Sequence, residues 1–248
     1  MLHAVERGLG VATLELALDG VSVVVKGLFN AAIFSPAWLL AEGLIGKSEY
    51  GEADVELITR EVASFTVGWL RCQVTPDALQ LTTTEPEEFE RVRDAAVGIL
   101  NTLSHTPVAA LGINREVHLP ARDGAHYLAI GDALAPKEFW EPLVDLPATR
   151  TLTIWGQRPD KRGGRVQIQI ESSVRFRQHV FISHNDHFNL LKVDKQPASR
   201  EEALLETVEP NLQPSAHKGA IATEILTSEW KSSMGRSTDV INAILRIK

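Results

Sequence analysis

The sequence predicts an α+β protein with a mainly antiparallel sheet and packed helices, on three observations. Short apolar alternations recur in neighbouring pairs, turn-forming residues separate the members of several pairs, and helical periodicities fall between pairs instead of after every strand. That order favours hairpins over the alternating strand and helix units of a parallel sheet.

The first pair is read in TLELALDGVSVVV. Leu14, Leu16 and Leu18 alternate up to Asp19-Gly20, and Val21, Val23 and Val25 alternate away from it. Asp-Gly supplies the positive φ angles of a two-residue turn, so a hairpin centred on 19–20 is expected. Ser35 then offers an N-cap and Pro36 a first helical position before Trp38, Leu39 and Leu40, which predicts a short helix stopping near Gly43 or Gly46. Phe65, Val67 and Trp69 alternate, and Thr75-Pro76-Asp77-Ala78 is turn chemistry leading into LQLTTT, a second hairpin. Pro86 opens the strongest helical pattern, with Phe89, Val92, Ile99, Leu100 and Leu103 repeating until Pro107.

Alternation resumes through Leu111, Ile113, Val117 and Leu119, and PKEFWEPLV reads as a short helix. RTLTIWG and RVQIQIE flank the polar loop QRPDKRGG, while VRFRQHVFIS and FNLLKV flank His184-Asn185-Asp186-His187. Ser199 and Glu202 form a capping box ahead of Leu204, Leu205 and Val208. Two further helices are expected after it, the last with Val240, Ile241, Ile244 and Leu245 on one stripe. The repeated hairpin-then-helix pattern suggests two related lobes, 1–130 and 131–248, inside a single compact unit, although no residue-level repeat accompanies it.

From GWLRCQVTPDALQLTTT through TPVAALGINREVHL the chain resembles a sporadically distributed bacterial α+β family of unassigned function, over about a fifth of its length. The shared motif is the order strand, turn, strand, helix, strand. The resemblance implies a bacterial protein and carries over no catalytic residues.

With 44% hydrophobic residues in 248, the chain has ample material for a core. The formal charge of −7 disfavours general nucleic-acid binding, which wants a basic surface. A single cysteine, Cys72, excludes an internal disulfide and points to a reducing compartment. The amino-terminal stretch has no basic segment followed by a long apolar run, and no stretch reaches the roughly 18 apolar residues of a spanning helix. The expectation is a cytoplasmic protein without a membrane partner.

Three features carry candidate chemistry. AEGLIGKS, residues 41–48, matches a relaxed phosphate-loop pattern, but a helix precedes it and acids follow, so a helix-terminating glycine loop is the reading. His184, Asp186 and His187 are ligand types for zinc or another divalent ion. On a strand they would split between two faces, so a polar turn centred on Asn185-Asp186 is preferred to a metal site or a partner-contacting loop tip. His105, His118, His126 and His179 could join such a site only through tertiary contacts. Finally, Arg158, Lys161, Arg162, Arg165, Arg175 and Arg177 stand against only Asp160 and Glu171. They read as a solvated face or a docking surface, with Arg175, Arg177 and His179 alternating on one strand.

No nucleophile elbow is present, and Cys72 has no local activating partner. The function expected from the sequence is therefore a non-catalytic bacterial interaction protein, a subunit or adaptor engaging a protein partner or a second copy of itself, with no cofactor. The alternatives are a metal-dependent hydrolase or nuclease built on His184, Asp186 and His187, and nucleic-acid binding through the basic residues of 158–177.

Overall fold

The computed structural model of the chain describes residues 16–160, 162–190 and 213–248. Its nine strands form one antiparallel sheet in the order β2-β3-β4-β5-β1-β6-β9-β8-β7. The strands are β1 (Leu18–Gly27), β2 (Asp54–Ile58), β3 (Ala63–Val67), β4 (Leu70–Thr75), β5 (Ala78–Thr83), β6 (Val108–Pro120), β7 (Thr151–Gln157), β8 (Gly164–Ser172) and β9 (His179–Asn189). The helices are α1 (Pro36–Ala41), α2 (Lys47–Gly51), α3 (Phe89–Thr102), α4 (Gly124–Leu134) and a 30-residue α5 (Ala216–Leu245). The α+β class and the antiparallel sheet are as the sequence predicts.

The order of elements repeats once along the chain, dividing between α3 and β6. β1 opens the first half and β6 the second, and the two pair with each other at the centre of the sheet. Each is followed by helix and then by a meander, whose last strand, β5 or β9, returns to lie beside it. A helix, α3 or α5, closes each half.

All the described helices pack on one face, because alternate positions of every inner strand present apolar side chains there. Val21, Val23, Val25, Leu79, Leu81, Leu111, Ile113 and Phe188 meet Val92, Ile99, Leu226 and Trp230 in the larger cluster. Val117, Leu119, Ile170 and Ile182 meet Ile130, Ile241 and Ile244 in a smaller one. Between the two, α5 turns Ser233, Arg236 and Ser237 toward the sheet, so a polar seam divides the core.

Several local expectations hold. Ser35 caps α1 by accepting a hydrogen bond from the Trp38 amide at 3.1 Å. α3 buries Val92, Ile99 and Leu100, and β4 and β5 pair across the 75–78 turn. Others do not hold. Asp19-Gly20 makes no turn: it lies inside β1, which pairs with β5 on one side and β6 on the other. The Asp19 carboxylate is held by Arg115 at 2.7 Å, which removes its tendency to cap its own backbone. The second hairpin is two, since β3 and β4 are joined at Gly68, whose φ of +52° suits a residue without Cβ. PKEFWEPLV forms hydrogen-bonded turns without becoming a helix, and α4 went unpredicted. The two final helices are the single α5, and the capping box at Ser199 and Glu202 lies outside the described residues.

The AEGLIGKS segment is the end of α1 and the start of the five-residue α2. Glu49 occupies its amides, accepting from the Gly46 N–H at 3.1 Å and the Ser48 hydroxyl at 2.9 Å, and it binds Arg91 of α3 at 2.6 Å. The hydrogen bond from Arg91, helped by the local backbone and Ser48, lowers its carboxyl to about 2. A depressed carboxylate stabilises the fold above its ordinary value near 4.5, and that contribution fades as pH falls toward 2. The stability gap between wild type and Glu49→Gln, read from urea midpoints, is thus expected to be open at pH 6 and to close on acidification. A gap independent of pH would contradict this.

Candidate functional site

His184-Asn185-Asp186-His187 is not a turn. All four residues lie inside β9, which pairs with β6 and β8 along its length. Strand alternation sends His184 and Asp186 to the helix-covered face and Asn185 and His187 to the other. The trio His184, Asp186 and His187 therefore does not converge, and the metal reading is corrected on that ground. Among the described residues no group of three His, Cys, Asp or Glu side chains is placed to hold a metal ion.

Asp186 instead anchors the polar seam. Its carboxylate, fully buried, accepts from Arg236 of α5 at 2.6 Å and pairs with Arg158 at 3.3 Å. Asp160 binds Arg158 at 2.5 Å and stands 3.5 Å from Arg236, so two arginines and two aspartates close a four-membered ionic cluster. The Arg158 guanidinium lies 3.6 Å from the centre of the Phe188 ring. Burial alone would raise the Asp160 carboxyl, but hydrogen bonding and charge from Arg158 leave it lowered. Burial lowers the His184 imidazole, which keeps it neutral beside two arginines, and its Nδ1 has no hydrogen-bond partner among the described residues. This arrangement binds α5 to the sheet, with Arg158 and Asp186 fully buried and Arg236 and Asp160 at its partly exposed side.

The basic residues of 158–177 do not form one surface. Arg158 is inside the protein. Arg162 pairs with Glu224 and Glu229 of α5, and Arg165 stacks over Trp155 at 4.5 Å. Arg175 and Arg177 lie in the connection before β9, not on a strand face shared with His179, and Lys161 is outside the described residues.

The opposite face of the sheet, which no described helix covers, is built from the other alternation. Read across strands, one row runs Thr66, Arg71, Thr82, Ser22, Asn114, Asn185, Gln167, Trp155. The next runs Ser64, Gln73, Gln80, Val24, Gly112, His187, Arg165, Gln157. The surface is rich in uncharged hydrogen-bonding groups. At its centre Asn114 donates to Ser22 at 3.1 Å, while Asn114 Oδ1 and Asn185 Oδ1 are buried with no partner among the described residues. A Cβ on Gly112 would lie 3.5 Å from the first oxygen and 3.9 Å from the second, so both carboxamides converge over a glycine. Unsatisfied acceptors in such a position are costly unless a donor reaches them.

One end of this face deepens into a cleft of about 290 Å³, lined by Ser22, Gln80, Thr82, Glu116, His118, Glu171, Arg175 and Phe181. His118 bonds Ser173 at 2.8 Å and packs on Phe176 and Phe181. Burial, with Arg175 and His179 adding to it, lowers its imidazole. The Glu116 carboxyl is raised by its crowded surroundings, an effect that Arg175 opposes. Sequence reasoning placed Arg175 and Asn185 in the wrong setting, left His118 without a site and missed Glu116 and Asn114. The alternation in GINREVH did hold the signal, because Asn114, Glu116 and His118 must share a face opposite Ile113 and Val117.

No protein-family model matches the chain, and no curated protein is significantly similar to it.

Proposed function

We propose that the protein is a non-catalytic interaction protein, a subunit or adaptor that presents the open face of its sheet to a protein partner. The observation that carries this reading is a broad polar surface at whose middle the buried carboxamide oxygens of Asn114 and Asn185 have no hydrogen-bond partner among the described residues. Such a surface matches the N–H and O–H donors of another polypeptide. A nucleic acid would instead want an excess of cations, and here Arg71 is already paired with Glu56, and Glu116 and Glu171 accompany Arg175. Among the described residues no helix is long and apolar enough to cross a membrane, which fits the proposed bacterial cytoplasmic setting.

The test is quantitative affinity capture from bacterial extract with wild type and with the Asn114→Ala/Asn185→Ala variant. Each lost hydrogen bond is worth about 1 kcal/mol, so the partner's affinity is expected to fall roughly ten- to a hundredfold with the melting temperature little changed. Equal capture by both proteins, or capture of nothing by wild type, overturns the proposal.

A further inference from the structure

We propose that the outer edge of β7 is a self-association site, where a second copy of this chain adds its own β7 antiparallel and continues the sheet. This goes beyond the open-face reading and does not depend on it.

β7 ends the sheet, and among the described residues no strand pairs with its outer side. The Ser172 amide donates to the Arg150 carbonyl, which fixes the phase of the β7–β8 ladder: even-numbered residues bond inward, and Thr151, Thr153 and Trp155 turn N–H and C=O outward. An edge of this kind is ordinarily blunted by charge, proline or a bulge. TLTIWGQ has none of these. The other edge, β2, is protected: it carries Asp54 and Glu56 and a register shift between Val55 and Leu57. Two β2 edges would oppose like charges; two β7 edges would not.

The occupant is a second copy because the strand is complementary to itself. In antiparallel pairing centred on Ile154, Thr153 faces the second Trp155, the two Ile154 side chains meet, and Leu152 lies across from Gly156, where nothing stands within 4 Å of a Cβ position. Ile154 and Trp155 are 52% and 43% exposed. A stable dimer buries roughly 1,200–2,000 Å², more than two paired strands supply. The connection leading into β7 offers the remainder: Phe139, Trp140, Leu143 and Leu146 are 70%, 49%, 66% and 94% exposed.

Sedimentation equilibrium of the full chain is expected to approach twice the monomer mass at about 100 µM, where even a Kd of roughly 10 µM puts about four-fifths of the chains in the dimer. Ile154→Lys, and Thr153→Pro, which removes only an outward N–H, are expected to weaken association at least tenfold with an unchanged circular dichroism spectrum. As a variant that leaves the edge intact, Ile154→Cys is expected to form a disulfide-linked pair under mild oxidation, since facing residues of a non-hydrogen-bonded pair lie about 4.5 Å apart. Cys72 is buried and its thiol is pushed up to about 12, so it stays out of that reaction. A monomeric wild type, an undiminished dimer in Ile154→Lys, or cross-linking of Ile154→Cys no faster than of the surface control Leu128→Cys overturns the inference. None of these bears on capture through Asn114 and Asn185, so the two proposals fail separately.

Discussion

Asp186→Ala is expected to destabilise the protein by about 3–5 kcal/mol, because it leaves the buried Arg158 guanidinium short of a counter-charge and breaks the tie between β9 and α5. The desolvation of a charge, not the lost attraction, sets that size. Replacing Arg158 and Asp186 together by Met and Leu removes both charges and leaves Asp160 with Arg236, so much of the loss is expected to return. Urea unfolding of the three proteins checks both statements. A loss below about 1 kcal/mol for Asp186→Ala would falsify the view that this cluster is desolvated.

Phe188→Ala should produce a loss of similar size, about 3–5 kcal/mol, for a different reason. The ring is fully buried in the larger apolar cluster, and its removal opens a cavity beneath Arg158. Phe188→Leu keeps most of the volume and gives up the aromatic face, so a loss of roughly 1–2 kcal/mol is expected from it. Because Phe188 and Asp186 both hold Arg158, their losses should not add; a coupling of about 0.5–3 kcal/mol in the double variant is the expected signature. Strict additivity would show that the ring and the carboxylate act on Arg158 independently.

The sheet was legible in the sequence because its pattern is local. Apolar side chains at every second position of β4, β5 and β8, and of β6 apart from Arg115, announce strands whatever they pair with, and the spacing of Val92, Ile99 and Leu100 announces α3. Polar residues within strands misled, since Asp19-Gly20 and Asn185-Asp186 have the chemistry of turns. What holds them extended is remote: Arg115 is 96 positions from Asp19, and Arg236 is 50 positions from Asp186. Periodicity cannot reveal such partners. The candidate surface was hidden likewise, because Ser22, Asn114 and Asn185 become neighbours only when β1, β6 and β9 align.

The central pairing of β1 with β6 joins residues as far apart as Ser22 and Asn114, 92 positions along the chain. The hairpins from β2 to β5 and from β7 to β9 need only short loops to close, whereas this joint brings together the residues most distant in sequence within the sheet. Refolding is therefore expected to be limited by the meeting of the two half-sheets, so variants in the β1–β6 joint should slow it more than equally destabilising variants in the meanders when followed by stopped flow. A half-sheet that had not yet met its partner would leave the inner edge of β1 or β6 open to a wrong neighbour, so slowing the joint is expected to raise the share of chain lost to aggregation.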